Sequence, residues 1–274
     1  MFKIIIMALL IFIGMVGYDN ITDKAQPTTP VQQEQQKISK HEKSAAMALF
    51  TSLLPPKEEW PSPVHKFYLA FNMDEVIDPI RQNPNWTSLD AMSRDIPQAL
   101  IAIEDHAFYN HGAIAVEGIL RAALANINAG EVVQGGSTLT QQFVKNVFLS
   151  HEQSMERKIE EAVLSLMLED NYSKDEILEL YLNTTYFGAG STGIKQASKT
   201  YFDKAPSALT LAEAAVIASL PYAPTSLNPL ENPEGCKKRQ LLVLAAMHKY
   251  GMINQGQLAE AKTEKIRLTN GTFM

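Results

Sequence analysis

Four stretches of this 274-residue chain carry more polar side chains than packing alone requires. The first is Glu104-Asp105 in "EDHAFYNH", where an apolar helical pattern turns polar. A carboxylate at such a rim, partly desolvated by Phe108 and its apolar neighbours, suits proton transfer; the plainer reading is a solvated helix end. The second is "GGSTLTQQFVKN", Gly135 to Asn146. Leu139, Phe143 and Val147 have helical spacing, and Thr138 with Gln141 fits a capping box, with Ser137 as the alternative cap. Capping leaves Thr140, Gln142, Lys145 and Asn146 unexplained. A glycine pair ahead of a helix lets an anion approach its free N–H groups, and Lys145 adds a cation two turns on. Without a Walker pattern, the anion indicated is phosphate or pyrophosphate rather than a nucleotide.

The third stretch is "ERKIEE", with Arg157 and Lys158 adjacent and Arg157 and Glu161 one helical turn apart. It reads either as an exposed ion-pair lattice or as cations that hold a phosphate, with Glu161 facing the same cleft. The fourth, "YLNTTYFGAGSTG" from Tyr181 to Gly193, is a helix end and a Gly- and Thr-rich loop. It is either an ordinary C-cap and turn or a wall that contacts sugar.

Helices must position these groups. Asp95, Pro97 and Gln98 look like an N-cap, a first-turn proline and a capping partner for a helix in "PQALIAIEDHAFYNH". "VEGILRAALANINAG" predicts a second helix closing on Gly130, and "MERKIEEAVLSLMLEDNY" a third. "SKDEILELYLNTTYF" makes a fourth, capped by Ser173 with Glu176. "TLAEAAVIASL" is a fifth that stops at Pro221, and "CKKRQLLVLAAMHKYGM" a sixth. No alternating run suits a sheet and no repeat appears, so the fold class is predominantly all-α.

With 46% hydrophobic and 20% charged residues, the chain suits one large domain or two small ones. A net charge of −6 argues against non-specific nucleic-acid binding, so any anionic ligand must meet a local cationic site. Cys236 is the single cysteine and forms no intramolecular disulfide. Residues 4–17 are an unbroken apolar run after Lys3, the asymmetry of a segment inserted with its N-terminus in the cytoplasm. Its length lies between a signal peptide and a full span, so residues 1–18 are a membrane anchor or a signal, and the lack of an A-x-A-like site favours the anchor. Residues 19–45 are polar and read as a disordered tether, 46–94 form a lead-in without a legible structure, and 95–274 form the main domain.

"EDHAFYNHGA", "GGSTLTQQFVKN", "RKIEE", "ILELYLNTTYFG" and "AAVIASLPYAPTSLNP", in this order and spacing, resemble the five motifs of the peptidoglycan glycosyltransferases. Those occur as domains of bifunctional class A penicillin-binding proteins and as monofunctional biosynthetic transglycosylases. The resemblance runs from about Asp95 to Ile253. The sequence holds no S-x-x-K and no K-T-G of a transpeptidase, so a monofunctional polymerase is implied.

The resemblance implies a lysozyme-like all-α lobe with a small membrane-proximal jaw. The implied substrate is lipid II, a disaccharide-peptide on a polyprenyl pyrophosphate. The growing glycan is the donor, attacked at its anomeric carbon by the 4-hydroxyl of incoming lipid II with inversion. By resemblance Glu104 is the general base, and Glu161 orients cations at the pyrophosphate or assists its departure. Lys145, Arg157 and Lys158 surround the diphosphate, while Ser137, Thr138, Gln141 and Gln142 line the donor cleft. Asp105, Phe108, His111, Thr140, Asn146 and Asn183 are further substrate-binding positions. No cofactor is required and no metal ligand is assigned, although dependence on a divalent cation, Mg or Mn, varies in the family.

Implied partners are lipid II, the growing glycan strand, the membrane, and cell-wall synthases or division and elongation proteins, with no nucleic acid. The implied location is the cytoplasmic (inner) membrane, with the catalytic domain on its outer, periplasmic face. Two positions depart from the pattern: Ala113 stands where Gly is expected, and Gln153 where relatives often carry Arg. Two alternatives stay open. A lytic enzyme cleaving glycan strands would use the same helical lobe and Glu without needing the cationic cluster. An inactive lipid-II-binding assembly subunit would tolerate both departures.

Overall fold

The computed structural model describes residues 68–69, 72–119, 127, 135–149 and 154–274. The apolar run, the tether, the first part of the lead-in, most of the helix expected over 116–130, and Gln153 lie outside the described residues. By compactness the chain divides into residues 1–77 and 78–274. In the first unit the Tyr68 hydroxyl donates to Glu75, and the Asn72 amide donates to the Tyr68 carbonyl at 3.0 Å.

Among the described residues the regular elements are α-helices, short 3-10 turns and two isolated antiparallel bridges, Tyr186 with Thr192 and Arg267 with Phe273. The helices are α1 (Asp74–Arg81), α2 (Asp95–Glu104), α3 (Leu139–Phe148), α4 (Met155–Asn171), α5 (Lys174–Thr184), α6 (Ile194–Phe202), α7 (Leu211–Ser219), α8 (Pro233–Lys249) and α9 (Gln255–Thr263). Side-chain caps set several starts. Reciprocal capping boxes open α3 at Thr138/Gln141, α5 at Ser173/Glu176, α7 at Thr210/Glu213 and α9 at Asn254/Gln257, and Ser154 caps α4. Each cap satisfies N–H groups that a helix start leaves without a partner.

Helix α7 organises the core of the second unit. Ala212 through Ser219 are all buried, as expected of a helix apolar on every side. Its short alanines let α2 and α8 pack against it and against each other. Ile96 and Leu100 of α2 and Val243, Leu244 and Met247 of α8 fill this space. Burying side chains of that size contributes roughly 1.5–3 kcal/mol each. A second layer has α3 against α4 and α5, with Leu139, Phe143, Val144, Leu168, Ile177 and Leu178 inside. The apolar face of α3 is thereby fixed, and Gln142, Lys145 and Asn146 are left on its other side.

Three expectations about elements need correction. Asp95 is not an N-cap: α2 is preceded by Arg94 in the helical region with no side-chain cap, and Asp95 stands in the first turn. Helix α8 starts at Pro233, behind an Asn232 cap, three residues earlier than the apolar pattern indicates. Helix α6 was not foreseen. It follows Gly193, whose φ of 85° replaces a side-chain cap, and it ends on Asp203 in the left-handed region.

Candidate active site

Glu104 is the last residue of α2. Its Oε2 accepts a hydrogen bond from Gln142 Nε2 of α3 at 3.0 Å, and Gln142 Oε1 in turn accepts from the buried Tyr181 hydroxyl of α5 at 3.1 Å. Three helices therefore meet on one amide. The Tyr181 phenol is pushed upward by burial first and by the neighbouring Glu104 charge second.

Asp105, the next residue, has a different task. One carboxylate oxygen accepts the N–H of Leu139 at 3.1 Å, and the other contacts His111 Nε2 at 2.6 Å. His111 Nδ1 lies 2.6 Å from the Gly112 carbonyl, so both ring nitrogens face acceptors. Burial pushes His111 downward, but the hydrogen bonds to Asp105 and Gly112 and the Asp105 charge outweigh it, and the net shift is upward. Asp105 places a negative charge where the dipole of α3 favours one.

The expectation that ligand anions approach the start of α3 is corrected by this arrangement. The N–H of Leu139 is bonded to Asp105, that of Gln141 to Thr138 Oγ1 at 3.1 Å, and that of Gln142 to the Thr138 carbonyl at 2.9 Å. Thr138 and Gln141, expected along the donor cleft, and Thr140, expected as a further substrate-binding position, are buried and bonded within the protein. The Thr138 hydroxyl also donates to the Ala113 carbonyl at 2.8 Å, and Thr140 donates to Glu169 at 2.5 Å. Glu169 in turn accepts from Lys174, whose ammonium stands 4.4 Å over the Phe108 ring. Phe108 is fully buried and packs rather than faces solvent.

The cationic cluster centres on Glu161, which is 1% exposed and therefore needs charged partners. Arg157 Nη1 lies 3.4 Å from Glu161 Oε2, and Lys158 Nζ is paired with Glu161 Oε1. Lys158 also donates to Ser137 Oγ at 3.1 Å. Ser137 directly precedes the Thr138 cap of α3, and Gln142 lies in the first turn behind it. The start of α3 thus links the Glu104 carboxylate of α2 to the Lys158–Glu161–Arg157 cluster of α4. Among the described residues Arg157 Nε, itself buried, has no hydrogen-bond partner. Lys145 and Asn146 are exposed one turn beyond Gln142 on the same helical face.

Asn183 does not join this group. Its amide accepts from Thr87 N–H at 2.9 Å and donates to the Thr87 carbonyl at 2.8 Å, which pins the segment leading into α2. The loop from Tyr186 to Gly193 closes on itself through Phe187 N–H to the Ser191 carbonyl at 2.8 Å, and the buried Tyr201 hydroxyl holds the Phe187 carbonyl. The turn holds itself in place and leaves Tyr186, Ala189 and Gly190 exposed. A separate pocket of about 230 Å³ is lined by Ile80, Asn85, Trp86, Asn183, Thr192 and Gln196 among others, and it includes neither Glu104 nor Glu161.

The sequence profile described as "Transglycosylase" matches residues 73–248. The chain belongs to the transglycosylase family. The match begins within the lead-in, ahead of Asp95, and covers both the Glu104 and the Glu161 clusters. A Cupriavidus necator protein named "Putative transglycosylase" is 40% identical over 194 residues, 71% of this chain and 84% of its own length. Penicillin-binding protein 1A of Neisseria flavescens is 44% identical over 185 residues, 68% of this chain and 23% of its own. Penicillin-binding protein 1F of Bacillus subtilis is 39% identical over 197 residues, 72% of this chain and 28% of its own. The chain therefore spans about a quarter of these two penicillin-binding proteins.

Sequence reasoning missed Tyr181 and Ser154 in this candidate site. Tyr181 looks like a core residue of α5 in sequence, and only the fold reveals its hydroxyl on Gln142. Ser154, which accepts the Arg157 N–H at 3.1 Å, carried a readable cap signal just ahead of "MERK". Among the described residues no group of three or more His, Cys, Asp and Glu is placed to hold a metal ion.

Proposed function

We propose that this transglycosylase polymerises lipid II into peptidoglycan glycan strands. The observation that carries the reading is the start of α3, joined on one side to Glu104 and on the other to Lys158, Glu161 and Arg157. Glu104 takes the proton of the acceptor sugar's 4-hydroxyl as it attacks the donor's anomeric carbon, because an uncharged hydroxyl is a poor nucleophile. The C–O bond to the polyprenyl pyrophosphate breaks on the opposite face, inverting the centre. Arg157, Lys158 and Lys145 meet the developing pyrophosphate charge. Glu161 keeps its two cations in place before the ligand arrives.

Residues 1–18 act as an anchor and 19–45 as a tether, which hold the catalytic unit at the outer face of the cytoplasmic membrane, where the lipid tail of the substrate confines it. Among the described residues no helix is long and apolar enough to cross a membrane, and the apolar run lies outside them. Incubating the full chain with labelled lipid II tests the reading. Polymer formation supports it, release of fragments from finished cell wall supports a lytic enzyme instead, and binding without turnover refutes both.

A further inference from the structure

The cavity of about 230 Å³ lies on the far side of α5 from Gln142. Tyr181, whose hydroxyl meets Gln142, and Asn183, which lines the cavity, are two residues apart and so about 200° apart around the helix. The floor of the cavity is satisfied within the fold. Asn183 engages its oxygen and its NH2 with Thr87 and Glu179, and the Thr184 hydroxyl donates to the Leu180 carbonyl at 2.8 Å. The facing turn, residues 83–87, is held in place as well. Asn183 pins Thr87, the Trp86 N–H donates to the Asn83 carbonyl at 2.8 Å, and Lys195 of α6 donates to the Pro84 carbonyl at 3.0 Å.

This turn and α6 leave a set of donors unused. Asn83 gives only its side-chain oxygen to the protein, to the Asn85 N–H at 2.8 Å, and Gln196 only its oxygen, to the Thr192 N–H at 3.2 Å. Both NH2 groups, and the indole N–H of the half-buried Trp86, are without a partner among the described residues. Every residue lining the cavity is uncharged, so an ion finds no counter-charge there. The matching ligand is neutral, rich in acceptors and flat on one apolar face. An N-acetylated sugar ring has those properties, with an acetamido carbonyl and ring oxygens that accept and a C–H face that stacks on an aromatic ring. The volume is below the ~300–1,000 Å³ of a drug-sized pocket and suits a single ring.

We propose that this cavity is a carbohydrate-binding site, separate from the catalytic cleft, that holds one N-acetylated sugar of a glycan strand. The Trp86 indole covers the apolar face of the ring, and the Asn83 and Gln196 amides donate to the acetamido carbonyl and its neighbours. That the strand is peptidoglycan rests on the polymerase reading; the preference for an N-acetylated sugar rests on the free donors alone.

The chain has two tryptophans, Trp60 and Trp86, so Trp60→Phe leaves Trp86 as the sole emitter. Titrating the full chain carrying that substitution with the N-acetylglucosamine tetramer should shift the emission to shorter wavelength and saturate. Cellotetraose, which lacks the acetamido group, should bind about tenfold more weakly. Asn83→Asp and Gln196→Glu keep the oxygens that accept from Asn85 and Thr192 and replace each free donor by an acceptor. Each should weaken the N-acetylated tetramer about two- to tenfold at an unchanged melting temperature. An emission that does not respond, equal binding of the two tetramers, or undiminished binding in both amide variants overturns the proposal. Binding lost in Glu104→Gln places the sugar in the catalytic cleft and overturns it too. Should Trp60→Phe not fold, calorimetry on the full chain with the two amide variants decides.

Polymerisation of labelled lipid II separates the sources of the sugar. Shorter strands at an unchanged initial rate in the Asn83→Asp, Gln196→Glu double variant assign the cavity to the enzyme's own product, whereas unchanged strand length with weakened tetramer binding assigns it to finished cell wall. A chain that binds the tetramer yet forms no polymer overturns the proposed function and leaves the carbohydrate site standing. Polymer without tetramer binding overturns only the site.

Discussion

Thr138→Ala separates a fold-holding role from a ligand-contacting one. The Thr138 hydroxyl accepts the N–H of Gln141 and donates to the buried Ala113 carbonyl, 25 residues earlier in the chain. Loss of the cap costs about 1 kcal/mol. Leaving the Ala113 carbonyl without its donor costs about 1–3 kcal/mol more, so the sum is about 2–4 kcal/mol. Urea unfolding followed by circular dichroism reads this as a lower midpoint at unchanged slope. Thr138→Ser keeps both hydrogen bonds and should fall within about 1 kcal/mol of wild type. Wild-type stability in Thr138→Ala together with lost polymerisation would refute the reasoning, because the hydroxyl would then serve the ligand rather than α3.

Other consequences can be measured separately. Glu161→Gln removes the anion between Arg157 and Lys158 and should lower stability by about 2–4 kcal/mol, less than a fully buried pair because Lys158 is half exposed; thermal unfolding in low salt checks this. His111 is raised above its ordinary 6.5, so its charged form stabilises the fold fully at low pH and that contribution fades as pH rises through the raised value. The melting temperature lost in His111→Gln should therefore be larger near about pH 5 than near about pH 8. Gly193→Ala forces a side chain onto a φ of +85° with its Cβ 2.6 Å from the Asn183 carbonyl, and should unfold at markedly lower temperature. Cys236, buried and pushed up to about 11, should resist thiol reagents in the native protein and react only after unfolding.

What could be read from the sequence was mostly local. The capping boxes at Thr138 and Ser173 were legible because cap and partner lie three residues apart. The apolar periodicity marked most of the other helices. Helix α6 is weakly marked in sequence because a glycine opens it and its apolar face is short, and the Asn232-Pro233 signal sets the start of α8 ahead of the apolar run behind it. In the candidate site, Glu104, Gln142, Lys158 and Glu161 are marked by the motifs that carry the family resemblance, and the fold joins them through hydrogen bonds and ion pairs. The work of Asp105, Thr140 and Asn183, and the bond from Thr138 to Ala113, was not legible, since each involves a partner 25 or more residues away. Polar side chains near a catalytic group look alike in sequence whether they serve the ligand or the fold, and only their partners separate the two.

The central claim is that Glu104 is the base of a lipid II polymerase. It is tested most directly by comparing polymer yield from labelled lipid II for wild type and Glu104→Gln, at matched melting temperature. The account predicts polymer from the wild type and a loss of about a hundredfold or more in the variant, the usual contribution of a positioned base. Equal yields from the two proteins would contradict it.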